Sequence, residues 1–252
     1  MRVPGIAFVQ GGNVYSNSDE RHFGIAIHNT SNDASDENEA TYAKRRPDGI
    51  SSHFYADEDS VTQSLDTNDK AGHAGSWEGN EHAIAWEFTG ANAKSRQWWL
   101  DNIAWDEVGR VMAYLITHDP DYAGFEVRRA PVQEMRDNPK VKAFYSHNDM
   151  RLAWGGTTHT DPGKHFPFDH LLTVVSQALG EEDDMPTVDE FWAKQALEYV
   201  DEDGNTIRDK RTVLDVLYAS HRAAVQARKG VAELNERMSE LERTIRRLAP
   251  PD

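Results

Sequence analysis

The residues best equipped for chemistry lie in two places. The first is Ala143–His170 (AFYSHNDMRLAWGGTTHTDPGKHFPFDH), where four histidines and three aspartates crowd among glycines, prolines and one tryptophan. Gly155-Gly156 and Pro162-Gly163 force turns, so the spacing predicts these side chains on loops, where sites on a rigid scaffold concentrate. A solvated His-rich loop is the competing reading. The second is a set of polar residues on or beside apolar runs. His28 ends the run FGIAIH, His53 sits in SSHF, His73 in AGHAG, and Glu87 in the apolar stretch HAIAWEF. A carboxylate on a covered strand is costly unless paired or used, and burial moves its pKa toward that of a general base. A structural ion pair is the alternative for Glu87. The chain has no cysteine, so any metal here must be held by imidazole and carboxylate.

These pieces carry a family resemblance. In order they are Ile27-His28-Asn29-Thr30, Ser51-Ser52-His53-Phe54, Asp69-Lys70-Ala71-Gly72-His73-Ala74-Gly75, Asn80 through Gly90, Ser146-His147-Asn148-Asp149, and Thr160-Asp161-Pro162-Gly163. The sequence resembles type 2 N-acetylmuramoyl-L-alanine amidases, the group that includes peptidoglycan recognition proteins and many phage lysins. The resemblance spans residues 22–175. It implies that His28, His147 and Asp161 ligate one zinc ion and leave the fourth tetrahedral position open, as a catalytic site requires. It implies that Glu87 is the catalytic acid and base. Some relatives carry cysteine where Asp161 stands. His159 stands where many carry a lysine that stabilises the oxyanion, so an imidazole must substitute, and a steeper loss of activity at high pH is expected. His53 and His73 match positions near the cleft and are candidates for binding substrate or orienting a ligand. Trp154 could stack on a sugar, its alternative being a partly buried loop anchor.

The elements that must hold these residues follow from the pattern. Strands are expected at Phe23–His28, Ile50–Ala56, Val61–Leu65 (after a turn at Asp57–Ser60) and His82–Phe88. Helices are expected around Ala40–Arg45, as one long element over Ser95–Thr117, and over Phe168–Leu179. Trp99, Ile103, Val108, Met112 and Leu115 recur near helical spacing and read as core. The fold class is thus α/β, a central mixed β-sheet flanked by helices in a catalytic domain over residues 1–180.

Beyond Gly180 the composition changes. Residues 181–208 read as an acidic linker (Glu181 to Asp184) with a short helix from Pro186 to Val200 and a turn at Asp203-Gly204. Residues 209–252 read as one long coiled-coil-like helix. Val213, Leu217, Ser220, Ala224, Ala227, Val231, Leu234, Met238, Leu241, Ile245 and Leu248 follow one another at steps of four and three. Such a tail either folds back on the catalytic domain or makes a homodimer.

Among 252 residues, 27 Lys/Arg stand against 43 Asp/Glu, a net charge of −16. That surplus is the wrong sign for a nucleic-acid partner. Residues 205–252 carry +3, leaving −19 on the rest. No run approaches the ~20 apolar residues of a membrane span, so no membrane insertion is expected. The opening Met1–Gln10 lacks a signal-peptide pattern. Together with the tail, this looks like lysins of phages that infect actinobacteria. The expected function is zinc-dependent amide hydrolysis in bacterial peptidoglycan, by an enzyme held in the host cytoplasm until it is released to the wall. A muropeptide-recycling amidase and a non-catalytic wall-binding module are the alternatives.

Overall fold

The computed structural model describes residues 1–11, 21–46, 48–181, 199–200 and 206–207. It divides into two units, Met1–Met185 and Pro186–Asp252. The strands of the first unit are β1 (Ala7–Phe8), β2 (Gly24–Asn29), β3 (Phe54–Ala56), β4 (Val61–Gln63), β5 (Ala83–Phe88) and β6 (Phe144–Ser146). They form one sheet in the order β1-β4-β3-β5-β2-β6. β3, β5, β2 and β6 run parallel, while β4 pairs antiparallel with β3 and parallel with β1. The sheet is mixed, as the sequence implies.

Alternation along the strands sorts the two faces. Ile25, Ile27, Phe54, Ala56, Ile84, Trp86, Phe88 and Phe144 share one cluster with Val108, Val111, Met112, Leu115, Leu171 and Val175. The latter six come from α4 (Trp105–His118) and α7 (Phe168–Glu181). These two helices approach closely at Gly109, where an added Cβ would lie 2.8 Å from the Val174 carbonyl oxygen. These strand residues therefore point to the α4–α7 layer, and the intervening residues (Ala26, His28, Tyr55, Ala85, Glu87, Tyr145) belong to the opposite face. That face packs Ala26, Ala83 and Tyr145 against Ala74, Met135 and Met150. Its helices are α1 (Asp36–Ala43), α2 (Trp77–His82), α5 (Val132–Asp137) and α6 (His147–Trp154). Among them, α5 and α6 supply Met135 and Met150 to this cluster.

Several expectations are corrected. The long helix over Ser95–Thr117 is two helices, α3 (Arg96–Asp101) and α4, broken at Asn102. The Asn102 side chain donates to the Trp98 carbonyl at 2.9 Å, and the Ala104 N–H is taken by the Asp57 carbonyl at 2.7 Å instead of the next turn. Ile50–Ala56 is strand only from Phe54, because the Ser51 N–H turns to the Gly72 carbonyl at 3.1 Å. His82 closes α2 rather than opening β5. Ala143–His170 is not a run of loops: it holds β6, α6 and the start of α7.

In the second unit, β7 (Tyr199–Val200) pairs antiparallel with β8 (Thr206–Ile207), so the expected helix does not reach Val200. Glu181, the expected start of the acidic linker, ends α7; the rest of the linker (182–184), the capping box of Thr187 and Glu190, the turn at Asp203-Gly204 and the heptad helix of 209–252 lie outside the described residues. Among the described residues, no helix is long and apolar enough to cross a membrane.

Candidate metal centre

Strand register puts the first two functional side chains together. His28 on β2 is the register partner of Glu87 on β5, which in turn pairs with Tyr55 on β3. Register partners point to one face, so these three line the sheet surface away from the α4–α7 core. His147 arrives by another route. Ser146 caps α6, its Oγ accepting from the Asp149 N–H at 3.0 Å while the Asp149 carboxylate accepts from the Ser146 N–H at 2.8 Å. This reciprocal cap makes His147 the first residue of the helix. Arg129 grips Asp149 with two hydrogen bonds of 2.8 and 2.9 Å, fixing the cap from outside.

Asp161 sits on the loop after α6, and the residue following each histidine holds that loop. The Asn29 side chain donates to the Pro162 carbonyl at 3.2 Å, and the Asn148 N–H donates to the Asp161 carbonyl at 3.2 Å. The outcome is a tight triangle. His28 Nδ1 lies 2.9 Å from His147 Nδ1, and each lies 3.3 Å from an Asp161 carboxylate oxygen. Tetrahedral zinc with nitrogen and oxygen ligands at ~2.0–2.1 Å has ligand–ligand edges of roughly 3.3 Å, so the donor set fits such an ion. Burial, against the opposing pull of Asp161, pushes His28 down to about 4, which keeps the ring neutral and its lone pair free to ligate near pH 7. Burial pushes the Asp161 carboxyl upward, but hydrogen bonds from His147 and His28 outweigh it and hold the group well below the usual carboxylate range.

Glu87 stands beside this triangle with Oε1 at 3.4 Å from the Ser52 hydroxyl and Oε2 enclosed without a hydrogen-bond partner. Burial first, then the charges of Asp161 and Glu39, pushes its carboxyl up to about 8. Among the described residues Glu87 is in no salt bridge, and the pull of Arg46 is weaker than burial and the charges of Asp161 and Glu39. His28, His73, Glu87, His147, His159 and Asp161 line one cavity of about 480 Å³, with Tyr42, Arg46 and Ile50 on its wall.

The remaining candidates separate. His159 is 67% exposed at the cavity, its Nδ1 3.9 Å from Asp161 Oδ1. His73 is buried, its Nδ1 2.9 Å from His28 Nε2. His53 is fully buried and does not line the cavity: its Nδ1 accepts from the Ala85 N–H at 3.0 Å and its Nε2 donates to the Asp69 carbonyl at 2.8 Å. Both nitrogens are spent on backbone, which makes His53 a strut under the site. Trp154 also lies off the cavity, with its indole N–H on the Met135 carbonyl at 3.1 Å and its ring edge-on to Tyr145, the loop-anchor arrangement. Sequence reasoning passed over Asn29, Asn148 and the Arg129–Asp149 pair. Ser146 and Asp149, three apart before Met150, were the legible signal for the cap.

The geometry agrees with comparison to known proteins. The profile of the N-acetylmuramoyl-L-alanine amidase family (Amidase_2) matches residues 19–164. N-acetylmuramoyl-L-alanine amidase CwlA of Bacillus subtilis (strain 168) is 47% identical over 51 residues, 20% of this chain and 19% of CwlA, so the alignment spans under a fifth of that relative. Staphylococcus aureus hydrolase AmiA, crystallised with its ligand, superposes with a TM-score of 0.53 at 18% identity, over 73% of this chain and 87% of AmiA. The PlyG catalytic domain gives a TM-score of 0.45 at 18% identity, over 69% of this chain and 94% of that one. At 18% identity the AmiA likeness speaks for the fold alone. The profile does more: His28, Glu87, His147 and Asp161 all fall inside the matched segment, and the chain belongs to the N-acetylmuramoyl-L-alanine amidase family.

Proposed function

We propose that this protein is a zinc-dependent hydrolase of the amide bond between N-acetylmuramic acid and L-alanine in peptidoglycan. The observation that carries the reading is the triangle of His28 Nδ1, His147 Nδ1 and an Asp161 oxygen, with the Glu87 carboxylate on the same sheet face. Zinc held by these three side chains would supply a Lewis acid that brings the acidity of water near neutral pH. Glu87 takes the proton from the attacking water as oxygen adds to the lactyl carbonyl carbon. It then delivers that proton to the alanine nitrogen as the C–N bond breaks, leaving a carboxylate and an amine. Its raised pKa suits both halves of that transfer, and a divalent cation nearby favours the ionised form that starts it. His159, exposed at the cavity beside Asp161, offers an N–H to the negative charge developing on the carbonyl oxygen.

We assign the enzyme to phage-driven lysis, held in the host cytoplasm until the membrane is opened, because the motif order with a heptad-patterned tail resembles actinobacteriophage lysins. The test uses purified peptidoglycan and measures released amines. Glu87→Gln should lower the rate by about 10²–10⁴-fold, and His28→Ala should reduce it to background. Near-parent activity in either variant removes that residue's role. Clearing of whole walls supports the lytic assignment, and turnover of soluble muropeptides alone rejects it.

A further inference from the structure

His28 reaches the metal triangle through Nδ1, which leaves its other ring nitrogen to be accounted for. Nδ1 lies 2.9 Å from His147 Nδ1 and 3.3 Å from Asp161. To donate a lone pair there, His28 must carry its proton on Nε2. Among the described residues its Nε2 partner is Nδ1 of His73, at 2.9 Å, and the two rings stand perpendicular at 89°. A ligating imidazole ordinarily gives its outer N–H to a carboxylate or a carbonyl, and that partner fixes tautomer and ring angle. Here an imidazole fills the place.

The local chain holds His73 for this task. The Asn80 side-chain oxygen on α2 accepts both the His73 N–H at 2.9 Å and the Ala74 N–H at 2.8 Å. Gly75 closes against the Gly155-Gly156 loop so tightly that a Cβ on Gly156 would sit 2.4 Å from the Gly75 carbonyl oxygen. His73 is thus fixed at backbone level before its ring makes any contact. With Nδ1 accepting from His28, its own proton must sit on Nε2, a buried atom with no partner among the described residues. An unpaired buried donor is costly, and a residue kept only for packing would not carry it. Among the described residues the His147 outer nitrogen, by contrast, has no hydrogen-bond partner, and of the two rings it is His28 that a neighbour orients.

We infer that His73 is a positioning residue: as hydrogen-bond acceptor it locks His28 into the Nε2–H tautomer that presents Nδ1 to the metal. The inference rests on the zinc reading above. The test separates acceptor from ring in the full-length chain. His73→Asn keeps an acceptor oxygen at the place of Nδ1 but loses the ring, while His73→Phe keeps a ring and loses the acceptor. Zinc affinity, measured by competition with a chelator, should stay near the parent value for Asn and fall about 10–100-fold for Phe. A Phe variant that binds zinc like the parent overturns the inference, as does an Asn variant that loses as much as Phe. Should the Phe variant fail to fold, long-range ¹H–¹⁵N spectra of the zinc-loaded parent decide. They should show His28 protonated at Nε2 and His73 bare at Nδ1, and a proton on His73 Nδ1 overturns the assignment. A parent that binds no zinc defeats the functional reading as well, whereas zinc binding with indifference to position 73 defeats this inference alone.

Discussion

Among the described residues, two groups of largely buried side chains have the ligand types to hold a cation, and they are built in opposite ways. One is His28, His147 and Asp161; the other is Asp36, Glu37 and Asp57. In the second, the oxygens are already engaged. Asp36 accepts from the Glu37 N–H at 2.7 Å and the Ser60 hydroxyl at 3.0 Å, and Asp57 accepts from the N–H groups of Asp59, Ser60 and Asp36 at 2.9 to 3.2 Å. This is the first turn of α1 tied to the β3–β4 turn. In the first group, ligand atoms face one another across 2.9 to 3.3 Å, and among the described residues His147 Nε2, His73 Nε2 and Glu87 Oε2 nearby have no hydrogen-bond partner. Proximity of ligand atoms is common to both; spare hydrogen-bonding capacity distinguishes the site from the brace.

His53 gives the sharpest contrast with its near neighbours, because it is a buried histidine with both nitrogens satisfied. His53→Ala strands the Ala85 N–H and the Asp69 carbonyl and should cost about 3–5 kcal/mol by urea unfolding at pH 7. A cost under about 1 kcal/mol would make it something other than a strut. Burial pushes His53 down to about 3. The neutral ring thus stabilises the fold above pH 6.5, and that contribution is lost as pH falls from 6.5 toward 3, by about 1.4 kcal/mol per unit. The stability gap between parent and variant should therefore shrink on acidification.

Glu87 tests the other side of the contrast. With its carboxyl pushed up to about 8, the metal-free fold holds a proton that the unfolded chain releases near 4.5. Stability is therefore lost as pH rises from 4.5 to 8. Metal-free Glu87→Gln should gain on the parent across that window, by up to about 1.4 kcal/mol per pH unit. A gap that does not grow with pH argues against a buried, unpaired carboxyl. The smallest effect belongs to Asp36, pushed up to about 7 by burial and by the Asp57 charge. Asp36→Asn loses an acceptor but should gain on the parent between pH 4 and 7, by up to about 1.4 kcal/mol per unit, for the same reason of sign. Zinc stoichiometry should stay at one ion per chain in this variant. Loss of a second equivalent would erase the distinction between site and brace.

The clustering of His28, His147 and Asp161, the place of Glu87 and the mixed sheet were legible because short motifs carry them and because β2 and β5 alternate cleanly. His28 and Glu87 read as polar intruders in apolar strands, and the register made them neighbours. What the sequence hid was long-range. That His53 is spent on backbone depends on Ala85 and Asp69, which no local pattern links to it. The break at Asn102 depends on Asp57, 45 residues earlier in the chain. The helix carrying His147 was masked by the turn-forming glycines after it, although its cap was written in Ser146 and Asp149. The heptads of 209–252 lie outside the described residues, and their role rests on sequence pattern alone.

The pairing of His28 with Glu87 across β2 and β5 limits how such a protein can diverge. A single-residue insertion inside either strand would swing its functional side chain into the aromatic layer beneath and bring an apolar one out. Length changes in the wall at Tyr42 to Ile50 leave that pairing untouched. Lineages of this chain therefore have room to remodel the cavity wall, while the spacing between His28 and Glu87 is inherited whole.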